Sequence, residues 1–134
     1  LTHVLEEFLG GRSNVVIVGA GKLGRALLDY GGFGDYGLNI TAAFDTAADD
    51  VSHSNNGKPI LPADRLEGFC AENNVKIGII TVPAEAAQEV CDRLVSCGIK
   101  GIWCFAPSHL NVPEGVEVQY ENMALSLAYL NKKI

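Results

Sequence analysis

The sequence has little positive charge: 10 lysines and arginines face 16 aspartates and glutamates, which gives a formal net charge of −6. This balance opposes non-specific attraction to nucleic acid phosphates and to anionic membranes, so any contact with DNA has to come from another segment. The sequence also lacks an apolar run of the roughly 20 residues needed to span a bilayer, and its start lacks the layout of a signal peptide. We therefore expect a cytoplasmic location and no membrane partner.

Cysteine is scarce as well, with four residues that form no Cys-x-x-Cys pair and have no histidine at metal-ligand spacing. A zinc site or a disulfide framework is therefore not expected, and small buried side chains are favoured. Cys97 and Cys104 flank a predicted turn, which leaves a redox role open. No metal site is predicted.

The length of 134 residues fits one domain, and 48% hydrophobic with 19% charged residues is typical of a globular fold. Leu1, Leu5, Phe8 and Leu9 recur at helical spacing before two glycines. Residues 1–13 are therefore expected to be a linker or a residual helix from an upstream domain, and residues 14–134 to be the domain itself.

Apolar segments typical of strands alternate along the chain with segments typical of helices. Continuous runs without the alternation of a half-exposed strand predict strands covered on both faces, and segments of helical periodicity follow them. This order predicts an α/β fold with a doubly wound, mostly parallel, Rossmann-like sheet. The predicted strands are 14–18, 38–44, 59–61, 77–82, 101–105 and 116–118, and the predicted helices are 23–30, 63–72, 84–96 and 121–132.

A glycine-rich segment joins the first strand to the first helix. Gly-x-Gly-x-x-Gly alone is a weak signal, but here it directly follows a buried strand and opens a helix. Backbone N–H groups and the positive end of the helix would then face a pyrophosphate. Each glycine has a separate role: the first allows the tight turn, the second allows the phosphates to approach, and the third allows the helix to pack on the sheet. The predicted pyrophosphate-binding residues are Gly19, Ala20, Gly21, Lys22, Leu23 and Gly24.

Asp45 ends the second predicted strand, where a carboxylate can accept hydrogen bonds from both hydroxyls of an adenine ribose and repel a 2′-phosphate. This position favours NAD over NADP as the cofactor. A surface aspartate that caps the following turn is the alternative.

Two further segments end strands at the same predicted edge of the sheet. Thr81, Val82, Pro83 and Ala84 are expected near the nicotinamide half of the cofactor, or else only shape the first turn of a helix. Phe105 ends the next strand, where it packs on the ligand or in the core.

Catalysis is not predicted. A dehydrogenase needs an acid or base near the nicotinamide, and among the histidines only His109 follows a strand end that could lie there. A chain of this length also leaves no room for a substrate domain. We therefore expect a protein that binds its ligand and is not an enzyme.

Several stretches together resemble the C-terminal domain of the Rex redox-sensing transcriptional repressors of bacteria. They cover most of the chain and are more specific than the glycine motif. They are residues 18–27 with Tyr30, residues 43–45, residues 81–88, residues 98–102, and Phe105-Ala106-Pro107 with Leu110-Asn111-Val112-Pro113.

The resemblance implies a homodimer that binds NADH or NAD+ and reports their ratio to an N-terminal winged-helix domain, so that DNA is contacted only through that upstream domain. It also implies that Tyr30 is a redox-responsive hydrogen-bonding residue, and that the helix over residues 121–132 reaches the partner subunit instead of packing on its own domain. Asn122 and Met123 depart from the Asp and Phe that the family often carries there. The dinucleotide domain of a dehydrogenase and the CoA-binding domain of an acyl-CoA ligase remain the alternatives.

Overall fold

A computed structural model describes residues 13–46 and 50–121 of the chain. The predicted leading helix and the predicted C-terminal helix, including its contact with a partner subunit and the positions of Asn122 and Met123, lie outside the described residues. No helix in the described part is long and apolar enough to cross a membrane.

The described residues form one sheet of seven strands with three α-helices. Two 3-10 turns, Gly31–Tyr36 and Ala63–Arg65, join them. The strands are β1 (Ser13–Val18), β2 (Leu38–Asp45), β3 (Ser52–His53), β4 (Pro59–Pro62), β5 (Val75–Ile80), β6 (Gly101–Cys104) and β7 (Glu117–Tyr120), and the helices are α1 (Lys22–Asp29), α2 (Leu66–Asn73) and α3 (Ala84–Ser96).

The strand order is β3-β4-β2-β1-β5-β6-β7, and every pair is parallel except the short antiparallel pair of β3 with β4. From β4 to β7 this is the doubly wound order, in which the chain leaves β1 first to one side and later to the other. The order therefore reverses between β1 and β5, where ligands bind at the carboxyl ends of the strands. The predicted α/β fold class is confirmed.

The core has two layers because successive residues of a strand face opposite sides of the sheet. Val16 and Val18 belong to the layer that α2 and α3 cover with Leu66, Cys70 and Leu94 among others. Val15 and Ile17 belong to the other layer, together with Leu28 of α1 and the aromatic side chains packed against that layer. Neither face of β1 is open to water, which explains its uninterrupted β-branched sequence.

The observed bounds differ from the predicted ones at several elements. β5 begins at Val75 and ends at Ile80, because the exposed Lys76 interrupts the apolar pattern at its start and the chain leaves the sheet at Thr81. The segment 46–58, predicted as a loop, contains the two-residue strand β3. The 3-10 turn Gly31–Tyr36 was not predicted, because its glycines indicated only the end of α1.

Candidate functional site

The glycine-rich turn has its special backbone conformation at Gly19. This residue has a φ of +109°, in the left-handed region that glycine adopts without steric cost. Its N–H donates to the carbonyl of Phe44 at 2.6 Å, so the turn begins while still attached to β2. At Gly24 an added Cβ would overlap the carbonyl oxygen of Gly19, so helix and turn pack together only without a side chain. Both glycines are required by the fold of the turn.

Gly21 differs, because an added Cβ there would meet nothing within 4 Å. Gly21 is the N-cap of α1 and has no side chain to cap the helix, and the first intrahelical hydrogen bond runs from the N–H of Arg25 to its carbonyl at 3.0 Å. The N–H groups of residues 22–24 therefore have no acceptor within the helix. Open space beside uncapped N–H groups at a helix N-terminus fits an anionic group such as a pyrophosphate.

Thr81 holds this turn from the neighbouring strand. Its hydroxyl lies 3.1 Å from the carbonyl of Val18 and 2.9 Å from that of Gly19, and its N–H donates to Val18 at 2.9 Å. The sequence predicted Thr81 near a nicotinamide but gave no signal of this attachment. In the structure the side chain of Thr81 supports the backbone of the turn.

Arg25 also faces the turn. Its Nε donates to the carbonyl of Ala20 at 2.9 Å, which keeps the exposed guanidinium beside the start of α1. An arginine so placed adds positive charge where the helix N-terminus is already positive.

A cavity of about 130 Å³ opens beside the turn, at the carboxyl ends of β1 and β2 and along α3. It contains four of the predicted site residues, Gly19, Asp45, Val82 and Pro83. Sequence reasoning missed the remaining lining. Those residues are Val18, Phe44, Thr46, Ala63, Ala86, Glu89, Val90 and Arg93.

Helical periodicity could have indicated part of this lining. Pro83, Ala86, Val90 and Arg93 follow one another at intervals of three and four residues, which places them on one face of α3. The cavity is therefore an elongated groove with one helix face as a wall.

Arg93 is the one cation among the described residues that line the groove, and two neighbouring groups hold it in place. Its Nε and Nη2 donate to the two carboxylate oxygens of Glu67, each at 2.7 Å, and Nη2 also donates to the carbonyl of Ala63 at 2.6 Å. The hydrogen bond from Arg93 lowers the pKa of Glu67, and the same bond raises the pKa of Arg93. Both groups thus stay charged across the physiological range.

Phe105 does not line the groove. Its ring packs on Trp103 at 4.6 Å, and it belongs to the layer that contains Ala20 and α1. Tyr30, 59% exposed, packs edge-on against Phe33 at 5.0 Å on the same layer. His109 is exposed and stacks on Tyr120. Phe105, Tyr30 and His109 therefore lie outside the groove, whereas Val82 and Pro83 line it.

The cysteines are buried or half-buried free thiols, and no group of histidine, cysteine or carboxylate residues in the described ranges could hold a metal ion. Cys97 lies next to Cys70, not Cys104, and the Cys104 thiol approaches the carbonyl of Ala106 at 3.6 Å. Burial raises the pKa of Cys70 to about 12, and it raises those of Cys91, Cys97 and Cys104. Such thiols are poor nucleophiles near neutral pH.

The sheet order, the glycine-rich turn and the acidic residue at the end of β2 define a Rossmann-type nucleotide-binding domain. Comparison with known proteins agrees with this class. Residues 11–108 match the model of the CoA binding domain family, and the chain belongs to that family.

Curated relatives of the chain include repressors. The chain is 44% identical to the redox-sensing transcriptional repressor Rex of Carboxydothermus hydrogenoformans over all of its own length and 65% of that protein. It is 45% identical to Rex of Streptomyces coelicolor over 87% of this chain and 45% of that protein. The predicted resemblance to Rex is confirmed, and the chain spans less than two thirds of these relatives.

A solved structure gives the same result. The crystal structure of RSP, a Rex-family repressor, in complex with β-NADH has a TM-score of 0.87, is 33% identical, and covers 98% of this chain and 63% of that one. RSP has also been solved with β-NAD+ and operator DNA, with a TM-score of 0.88.

Proposed function

We propose that this chain is the NADH- and NAD+-binding, redox-sensing domain of a bacterial transcriptional repressor. The single observation that carries the proposal is the turn at the start of α1, where Gly21 leaves space beside N–H groups that have no acceptor within the helix. The RSP structures with β-NADH and with β-NAD+ and operator DNA support the extension to a redox sensor.

The proposed cofactor spans the edge of the sheet. The pyrophosphate lies at residues 19–24, and the carboxylate of Asp45 accepts hydrogen bonds from the adenine ribose. The nicotinamide lies toward residues 81–84 and Phe105. The bound dinucleotide supplies a ring that is neutral when reduced and positively charged when oxidised, and residues around that ring distinguish the two forms.

Sensing requires a difference in affinity between the two conformational states of the repressor. A ligand that binds both states equally leaves the equilibrium between them unchanged. Each tenfold difference in affinity contributes about 1.4 kcal/mol toward the state that binds the ligand more tightly. The DNA-binding part of such a repressor lies outside these 134 residues, which agrees with the net charge of −6. We also propose that the protein acts as a homodimer in the cytoplasm, and that it is a regulator without catalytic activity, like its relatives named as repressors.

Isothermal titration of the purified protein with NADH, NAD+ and NADPH tests the proposal. We expect NADH to bind more tightly than NAD+, and NADPH to bind more weakly than NADH because its 2′-phosphate meets Asp45. Equal affinities for NADH and NAD+ would contradict a redox sensor.

CoA is the second candidate ligand, because the matching family model describes a CoA binding domain. CoA carries a pyrophosphate that the same turn could bind. A titration with CoA in the same series decides between the two. Tighter binding of CoA than of either nicotinamide form would replace the proposed function.

A further inference from the structure

The groove extends along α3, with the glycine-rich turn near one end and Arg93 near the other. Its lining on this helix runs from Pro83 to Arg93, and 10 residues of helix rise by roughly 15 Å. Gly19 contacts Thr81, three residues before α3 begins at Ala84, so the glycine turn lies at the beginning of the groove. Arg93, about three helical turns further along α3, then lies toward the opposite end of the groove.

The ends of the groove differ in chemistry. The turn offers backbone N–H groups, whereas the far end has the aliphatic side chain of Val90 beside the guanidinium of Arg93. An apolar surface beside an arginine plane suits a flat heteroaromatic base, because guanidinium groups stack on bases. In a dinucleotide whose pyrophosphate lies at the turn and whose ribose lies at Asp45, the adenine is the group that reaches this end.

We infer that Arg93 forms the adenine-contacting wall of the cofactor groove and that Glu67 is the positioning residue that holds it. This inference rests on the proposed function and extends it to the residues that bind the adenine. Nε and Nη2 of Arg93 are already engaged by Glu67 and Ala63, which fixes the plane of the guanidinium before any ligand arrives.

This pair contributes little to folding. Glu67 is 50% exposed and Arg93 is 29% exposed at the side chain, and ion pairs of such exposure contribute little to stability. Substitutions in the pair should therefore change binding without unfolding the protein. Lysine cannot replace Arg93, because an ammonium group has neither the plane nor the fork that reaches Glu67 and Ala63 together.

The test is titration of the purified Arg93→Ala, Arg93→Lys and Glu67→Gln variants with NADH and with reduced nicotinamide mononucleotide, which lacks the adenylate. We expect NADH affinity to fall about tenfold in Arg93→Ala, a loss typical of one stacking contact to a base. Arg93→Lys should recover little of this loss, and Glu67→Gln should show a smaller one. Affinity for the mononucleotide should not change.

Arg65→Ala is the matched control, because Arg65 is an exposed arginine on the turn beside Ala63 and does not line the groove. It should bind NADH like the unsubstituted protein. The double variant Glu67→Gln/Arg93→Ala should bind NADH no more weakly than Arg93→Ala alone, because Glu67 acts through Arg93.

Unchanged NADH affinity in Arg93→Ala would overturn the inference. An equal loss for NADH and the mononucleotide would also overturn it, since it would reveal a general structural role. If the unsubstituted protein does not bind NADH, the proposed function fails, and the inference is judged on AMP: a loss of AMP affinity in Arg93→Ala supports it, and unchanged affinity rejects it.

Discussion

The hydroxyl of Thr81 lies 2.9 Å from the carbonyl of Gly19, and a Cβ added to Gly19 would stand 2.5 Å from the same hydroxyl oxygen. A side chain at Gly19 would therefore occupy the space that the side chain of Thr81 fills. Turn and strand are fixed against each other, and the conformation that faces the proposed pyrophosphate depends on both.

The Thr81 hydroxyl should be needed for the turn. Thr81→Val keeps the shape of the side chain but leaves the carbonyls of Val18 and Gly19 without their hydroxyl donor. We expect the free energy of unfolding to fall by about 1 kcal/mol, as for the loss of a typical hydrogen bond. Urea unfolding measures this change. Thr81→Ser retains the donor and should lose less, and an equal loss in both variants would contradict the assignment.

Substitutions of Gly21 and Gly24 by alanine should have different effects on stability and on NADH binding. Gly24→Ala pushes a methyl group into the carbonyl of Gly19, so we expect a lower melting temperature. Gly21→Ala meets no protein atom and should cost less than about 1 kcal/mol of stability, since it changes only an N-cap. It should nevertheless weaken NADH binding at least about tenfold, because its methyl group occupies the phosphate's space.

Thermal unfolding and NADH titration of both variants check this contrast. Wild-type NADH affinity in Gly21→Ala would show that the open space at the turn is not the ligand site.

Asp45 should determine selectivity against a 2′-phosphate. Asp45→Asn removes the negative charge while keeping the size of the side chain, so the repulsion of the 2′-phosphate of NADPH should decrease. We expect the ratio of NADH to NADPH affinity to decrease by about tenfold, equivalent to about 1.4 kcal/mol. Parallel titrations measure the ratio. Glu89→Gln removes another carboxylate of the groove and serves as the matched control; an equal effect there would attribute selectivity to the general charge of the groove.

Alkaline pH should destabilise the protein through Cys70. Burial raises the pKa of this thiol from 9.0 to about 12, so between these values the folded state keeps a proton that the unfolded state releases. The unfolded state then binds fewer protons, and the free energy of unfolding falls as the pH rises above 9. Urea unfolding across this range should show a shallower fall in Cys70→Ala. An identical pH dependence in both proteins would contradict a buried, protonated Cys70.

The sheet was predictable because its signals are local. The β-branched run of β1 and the glycines after it predicted a strand, a turn and a helix at nearly the observed bounds. The strand β3 was not predictable, because both of its residues are exposed and only its pairing with β4 defines it.

The site was predictable only in part. Asp45 and Gly19 meet in one groove because strand ends share an edge of a parallel sheet, which the sequence pattern implies. Arg93 and Glu67 are 26 residues apart and lie on different helices, so no local pattern indicates their contact. The location of Thr81 near a nicotinamide stays a prediction, and its hydroxyl bonds to Val18 and Gly19 were not predictable, because they depend on how closely β1 and β5 approach.

The packing of Trp103 on the α1 side of the sheet would give the protein an optical property. Trp103 is the only tryptophan in the sequence, and its ring packs on Phe105, toward which the nicotinamide lies in the proposed function. Reduced nicotinamide absorbs light in the region where tryptophan emits, whereas oxidised nicotinamide does not. Energy transfer from Trp103 would therefore quench its fluorescence with one redox form alone, so the unlabelled protein would carry its own spectroscopic reporter of the cofactor's oxidation state.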